Sequence, residues 1–267
     1  MSTPANAASR PAVLPITKIP SSGLPAYALV VGDPARAGLV AQLLDGAEQI
    51  GANREYVTYR GTWRGVDLVV SSHGVGGPGA VCLFGELAEA GVTTLIRLGT
   101  AGALARGIGD GDLVVAEAAV RDDGVTQQLV PAEFPAFSTP EVTLALQAAA
   151  REHDAPHHRG TVWTRAAFLP GVLELPMKPY QRAGVLAIEM ELSALLVFAS
   201  LNGLRAGGAL VIDGIAADDL VDDDGNSGYD PHRKVVAEGV DRAALVALDA
   251  VLRLAAADAA AASEAAR

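Results

Sequence analysis

The sequence predicts an α/β domain: a three-layer αβα sandwich around a mixed central β-sheet. Short β-rich runs alternate with helical patterns along the chain, which is the signature of strands covered by helices. The 267 residues are 50% hydrophobic, enough to bury a sizeable core, and α/β sheets of this size form as one unit, so a single domain over residues 1–267 is expected. A glycine-rich turn, HGVGGPGA, stands between a strand pattern and a helix pattern. In such folds ligands gather at strand ends.

Ala26 to Val31 reads as a buried strand, followed by GDPAR and a helix through Val40 and Leu44. Val66 to Ser71 is a second strand, with a helix from about Ala80 to Ala90 after the glycine turn. Thr94 to Leu98 and Asp112 to Val120 are further strands, and Glu141 to His153 has helical spacing. Val185 to Ile188 and Ala209 to Ile212 read as strands, and a last helix runs from about Pro231 to Ala256. Residues 1–12 and the tail ADAAAASEAAR (257–267) are expected to fray. The acidic, turn-rich segment 218–230 is expected to be a mobile loop.

A net charge of −11 argues against nucleic acid or an acidic membrane surface as partner, while leaving room for a local arginine cluster that binds a small anion. One cysteine, Cys82, excludes an intramolecular disulfide framework. The N-terminus lacks the basic start and apolar run of a signal peptide, and no run of ~20 apolar residues could span a bilayer. A cytoplasmic protein is expected.

Two carboxylates, Glu189 and Glu191, stand in the apolar stretch AIEMELSAL. Ionised carboxylates there are costly unless paired. Glu191 could open a helix and sit at the positive end of its dipole, or the pair could form a hydrogen-bonding fork for the hydroxyls of a sugar. Gly74, Gly76 and Gly79 spell a G-x-G-x-x-G pattern, but the acidic residue that a dinucleotide fold needs ~20 positions on is missing. Arg97 could instead meet the 2′-phosphate of NADP. Anion-binding features are more coherent. Gly32, Asp33 and Pro34 turn a strand into a helix carrying Arg36, so N–H groups and a guanidinium can face one anion. Arg97 lies inside an apolar strand before Gly99 and Thr100, where a guanidinium needs an anionic partner. Arg54 taken alone reads as a surface charge. His157 and His158 are adjacent rather than at helical ligand spacing, so they are read as surface residues and no metal site is expected.

The segments GDPARA (32–37), NREYVTYRG (53–61), SSHGVGGPGA (71–80), LIRLGTAGAL (95–104), VRDDG (120–124), PAEFPA (131–136), AFLPG (167–171) and AIEMEL (187–192) occur in the order and spacing of the nucleoside phosphorylases. The chain resembles most the uridine phosphorylase branch, over about residues 26 to 215. The resemblance implies that Gly32, Arg36, Arg54, Arg97 and Thr100 surround inorganic phosphate, with Arg54 supplied by a neighbouring subunit. It implies a homo-oligomer built from dimers, a hexamer. Phe168 would stack near the base, and Met190 and Glu191, with Glu189 close by, would line the ribose. Phosphate is then a co-substrate and no cofactor is required. The branch can bind a monovalent cation with a glutamate that corresponds to Glu55, but the serine beside it is Gly79 here.

The base pocket departs from the branch. The glutamine and arginine that read the uracil edge correspond to Val172 and Glu174, which cannot make the same bonds. The N-terminal histidine near the 5′-hydroxyl corresponds to Leu14. Asp213 lies within one residue of the aspartate with which the purine branch assists the departing base; as a plain residue it also reads as a turn aspartate at a strand end. Phosphorolysis with a purine preference is therefore expected, with Arg97, Glu191 and Asp213 as the catalytic residues and Glu174 among those that bind the nucleoside. Uridine phosphorolysis, a hydrolytic nucleosidase of the same fold, and a non-catalytic nucleoside or NADP sensor are the alternatives.

Overall fold

The computed structural model describes residues 12–169, 171–216 and 232–267. In chain order the elements are β1 (Tyr27–Val31), α1 (Pro34–Ala41), β2 (Asp45–Asn53), β3 (Tyr56–Trp63), β4 (Val66–Ser72), α2 (Gly77–Ala90), β5 (Thr94–Ala103), β6 (Leu113–Asp122), β7 (Ala136–Phe137), α3 (Pro140–Glu152), β8 (His157–Arg165), α4 (Met177–Arg182), β9 (Ala187–Glu189), α5 (Leu192–Leu201), β10 (Arg205–Ile215) and α6 (Lys234–Ala265). The five residues of β1 are all buried, as an apolar run covered on both faces should be. Successive side chains point to opposite faces. Tyr27, Leu29 and Val31 pack with α1, α3 and α6, whereas Ala28 and Val30 pack with α2 and α5. These are the three layers the sequence predicts.

The sheet is mixed. β4, β1, β5 and β10 run parallel side by side, and β2 and β3 extend that arm antiparallel to β4. On the other side the sheet curls into a ring, because β10 pairs with β6, β6 with β8, β8 with β9, and β9 with β5. β5 therefore has neighbours on both sides and changes partner along one edge. Val30 of β1 pairs with Arg97, and Ile188 of β9 pairs with Gly102. Among the described residues no strand pairs with that edge of β5 between Leu98 and Ala101. A fork opens there.

Several expectations need correction. The tail does not fray: α6 continues to Ala265, as its alanine-rich composition favours, and Asp258 is held by Tyr27 (2.6 Å) and Arg205 (2.6 and 2.8 Å). Of the expected frayed start, residues 1–11 lie outside the described residues, while the Ala12 carbonyl accepts from Ser21 N–H at 3.2 Å. The expected mobile loop, 218–230, also lies outside them. His157 and His158 are half-buried at the start of β8 rather than free on the surface; His158 meets Asp112 at 3.0 Å and His157 donates to the Ala155 carbonyl at 2.9 Å. Leu14 is 1% exposed, in the core of its own chain. Strands β2, β3, β7 and β8 and helix α4 are additions to the pattern read from the sequence.

Candidate functional site

The fork gathers charge. Arg97, the last residue of β5 opposite β1, is 4% exposed, and its guanidinium is shared among three partners. Nε donates to Glu189 Oε2 at 3.2 Å, Nη2 to Glu191 Oε2, and Nη1 faces His73 Nε2 at 3.0 Å. Burial pulls the guanidinium pKa down, but the Glu191 and Glu189 charges outweigh it and hold it above its ordinary value. Gly99 makes the arrangement sterically possible. A Cβ there would lie 2.9 Å from Arg97 Nη2.

The two carboxylates also end on helix termini, where orphan N–H groups and the dipole favour negative charge. Glu189 accepts from the backbone N–H of Glu191 (2.8 Å) and Leu192 (2.9 Å) at the start of α5, and from the Thr164 hydroxyl at 2.5 Å. Burial pushes its carboxyl above the ordinary range; Arg97 pulls the other way and Glu191 adds to the rise. Glu191 Oε1 accepts from Gly76 N–H at 2.5 Å, the residue before α2. The glycine motif thus spends this N–H on an internal carboxylate. Behind Glu189 the chain continues: Thr164 accepts from Ser193 N–H at 2.9 Å, and the Ser193 hydroxyl donates to Asp123 at 2.5 Å. Asp123 further accepts from Val125 and Thr126 N–H, both at 2.7 Å. Burial alone would raise the Asp123 pKa; the bonds from Ser193, Thr126 and Val125 lower it.

Gly32 lies beside this cluster. Its carbonyl accepts from Gly74 N–H at 2.9 Å, extending the β1–β4 ladder into the glycine turn. Arg36, in the first turn of α1, acts electrostatically on both His73 and Asp213. Asp213 occupies an irregularity in β10, between Ile212 and Gly214, where the register with β5 shifts. Its side chain is 3% exposed and hydrogen-bonds Thr100. Burial raises its pKa, while the Thr100 bond and Arg36 oppose the rise.

The fold brings Gly32, Arg36, Arg97, Thr100, Glu189, Glu191 and Asp213 to one fork. Met190 sits half-buried between the two glutamates. Arg54 is exposed at the two-residue turn between Asn53 and Tyr56, with a left-handed φ of 53°. Phe168 is 58% exposed and Val172 101% exposed, in a loop where Glu174 is exposed as well. The Glu189 oxygens accept from Arg97, Thr164 and two backbone N–H groups. Beside Glu55, Gly74 has φ +73° and a Cβ there would meet Glu55 Cγ at 2.7 Å, so the Glu55 side chain lies against the glycine turn. Among the described residues no three His, Cys, Asp or Glu side chains cluster to hold a metal. His73, Thr164, Ser193 and Asp123 were not marked by the sequence. The signal available for Asp123 was an aspartate two residues before a Val-Thr pair whose N–H groups it can cap.

A family model described as "Phosphorylase superfamily" matches residues 26–253. The chain belongs to the nucleoside phosphorylase family. This phosphorylase is 38% identical to a uridine phosphorylase of Thermococcus kodakarensis over 193 residues, 68% of this chain and 70% of that protein. It is 34% identical to a guanosine phosphorylase of Halorubrum lacusprofundi over 229 residues, 85% and 93% of the two chains. Among solved structures it resembles purine nucleoside phosphorylase from Toxoplasma gondii in complex with immucillin-H, with a TM-score of 0.86, 30% identity and coverage of 92% and 98%. Uridine phosphorylase from Vibrio fischeri follows at a TM-score of 0.80 and 26% identity, covering 90% of this chain and 98% of that one. As a member of this family the phosphorylase is an enzyme, a pentosyltransferase. No helix among its described residues is long and apolar enough to cross a membrane.

Proposed function

We propose that the protein cleaves the N-glycosidic bond of a nucleoside with inorganic phosphate, giving the free base and (deoxy)ribose 1-phosphate, and that purine nucleosides are its better substrates. The observation that carries this reading is the Arg97 guanidinium in the fork, gripped by Glu189, Glu191 and His73, with Arg36 and Thr100 close by. A phosphate oxygen forms the new bond to C1′ while the bond from C1′ to the base nitrogen breaks and its electron pair leaves with the base. Positive charge develops on the sugar and negative charge on the base. Glu191 meets the first demand as an anion beside the ribose hydroxyls. Asp213, whose burial favours the protonated form, meets the second by giving a proton to the departing purine.

Charge supports a shared site. One guanidinium beside two carboxylates has no positive surplus, so a phosphate dianion needs Arg36 and one more cation. Arg54, held outward at its strained turn, is suited to supply it to a neighbouring subunit in a closed oligomer built from dimers. The purine preference rests on Val172 and Glu174, which lack the donors that uracil carbonyls require, and on Asp213. A panel of purine and pyrimidine nucleosides assayed with and without phosphate tests the reading. Cleavage without phosphate would replace it by hydrolysis, and uridine cleaved faster than inosine or guanosine would remove the purine preference. Asp213→Asn should slow purine cleavage more than it weakens phosphate; the reverse would assign Asp213 to the phosphate side with Thr100.

A further inference from the structure

One buried side chain of the glycine-rich turn has no part in the reaction as written. His73 is 0% exposed and sits edge-on to Phe84, with ring centroids 5.9 Å apart. Its ring nitrogens face different kinds of partner. Nδ1 lies 2.8 Å from the Gly74 carbonyl oxygen, and Nε2 lies 3.0 Å from Arg97 Nη1. A carbonyl can only accept and a guanidinium can only donate. Nδ1 must therefore carry the proton and Nε2 must offer its lone pair. Burial, followed by the charges of Arg97 and Arg36, holds the imidazole pKa well below its usual value, which keeps the ring neutral.

The bonds on Arg97 then have a simple count. A guanidinium has five N–H groups; Glu189 takes the one on Nε, Glu191 one on Nη2 and His73 one on Nη1. One N–H remains on each Nη. The geometry points to His73 as a positioning residue for the phosphate-binding arginine: a neutral acceptor that fixes the guanidinium through the nitrogen the carboxylates leave unused. The remaining N–H groups are thereby held ready for an oxyanion. Neutrality matters here. A third carboxylate would compete with phosphate for the guanidinium, and a cation would repel it. This rests on the reading that Arg97 meets phosphate.

The test compares His73→Leu, which keeps an apolar side chain against Phe84 but has no acceptor, with His73→Gln, which restores a carbonyl acceptor. In steady-state assays the leucine variant should raise the KM for phosphate roughly tenfold to a hundredfold, the effect of losing a hydrogen bond to a charged group. Its KM for nucleoside should change much less, and the glutamine variant should recover most of the phosphate affinity. Long-range nitrogen–proton NMR spectra of the wild-type enzyme should assign His73 as neutral and Nδ1-protonated at neutral pH. An unchanged phosphate KM in His73→Leu, with Arg97→Ala raising it, would overturn the inference. So would an Nε2-protonated or charged His73, or a glutamine variant as weak for phosphate as Arg97→Ala. If Arg97→Ala itself leaves the phosphate KM unaltered, the phosphate reading fails, and the spectrum still decides the tautomer. Should the leucine variant not fold, the glutamine variant and the spectrum carry the test.

Discussion

Glu189 and Glu191 stand two residues apart and close the N-termini of different helices, α5 and α2, while holding Arg97 between them. Two helix dipoles and one guanidinium are thereby balanced by two carboxylates inside the protein. The arrangement ties the glycine-rich turn to the segment that carries both glutamates, so neither can move without unpairing a buried charge.

Removing Glu189 should show that its work is mostly architectural. Glu189→Ala leaves two helix N–H groups, the Thr164 hydroxyl and Arg97 Nε without their acceptor, and breaking a buried ion pair costs about 3–5 kcal/mol. Thr164→Val removes two hydrogen bonds from the same network, the one donated to Glu189 and the one accepted from Ser193 N–H, and should cost about 1–3 kcal/mol. Urea unfolding of both variants measures this. A Glu189→Ala protein as stable as the wild type would contradict it.

Gly99→Ala should damage activity without damaging the fold. The added methyl group would lie 2.9 Å from Arg97 Nη2 and 3.0 Å from Leu210 Cδ2, and the guanidinium, packed on its other sides, has little room to retreat. A displacement of this kind at a positioning group costs on the order of a hundredfold. The phosphate dependence of kcat/KM and the melting temperature, measured together, check it: rate should fall far more than stability. Equal losses in both would point to general disruption of β5.

Subunit sharing predicts complementation. Arg54→Ala and Glu191→Ala proteins should each be nearly inactive. In a mixed dimer, however, one of the two sites combines the intact Glu191 of one chain with the intact Arg54 of the other. Random mixing makes half the dimers mixed, so co-refolding equal amounts should return about a quarter of wild-type activity. No recovery from well-folded mixtures would place Arg54 outside the site.

The clamp on the last helix should make stability depend on pH at both extremes. The Arg205 bond, aided by the Tyr27 hydroxyl and opposed by burial, lowers the Asp258 pKa. Its contribution is therefore present above the unfolded value of about 3.9 and is lost as pH falls through the lower folded value. Tyr27 is raised from 10.0 to about 12 by burial and by Asp258, so its contribution is present below the unfolded value and is lost as pH rises through about 12. Asp258→Asn should melt below the wild type at neutral pH, and the gap should shrink at pH ~3. A gap that does not depend on pH would assign the effect to packing.

Most of the frame was legible because its strands are short apolar runs and its helices begin and end on recognisable turns. What stayed hidden has physical reasons. The β2–β3 hairpin turns on Arg54-Glu55 instead of glycine or asparagine, and β2 is largely exposed and polar, with two register shifts. Strand β8 opens on His157, His158 and Arg159, which resemble a surface segment. Within the site, Arg97, Glu189 and Glu191 stood out because charges in apolar runs need partners. Thr164, Ser193 and His73 did not, since a single polar side chain at the end of a strand or the start of a helix carries no period and its partners are distant in sequence.

The fork in β5 separates two requirements that ordinarily conflict. A strand that carries functional side chains is usually locked by ladders on both edges, and admitting a ligand means loosening one of them. From Leu98 to Ala101 only the β10 edge is paired, so a ligand can approach the backbone beside Arg97 and Thr100 without breaking a strand–strand hydrogen bond. Amide exchange should record the asymmetry, fast for N–H groups facing the fork and slow for those facing β10. Sequence change along the open edge is then free to retune what the enzyme accepts while the barrel wall behind it stays shut.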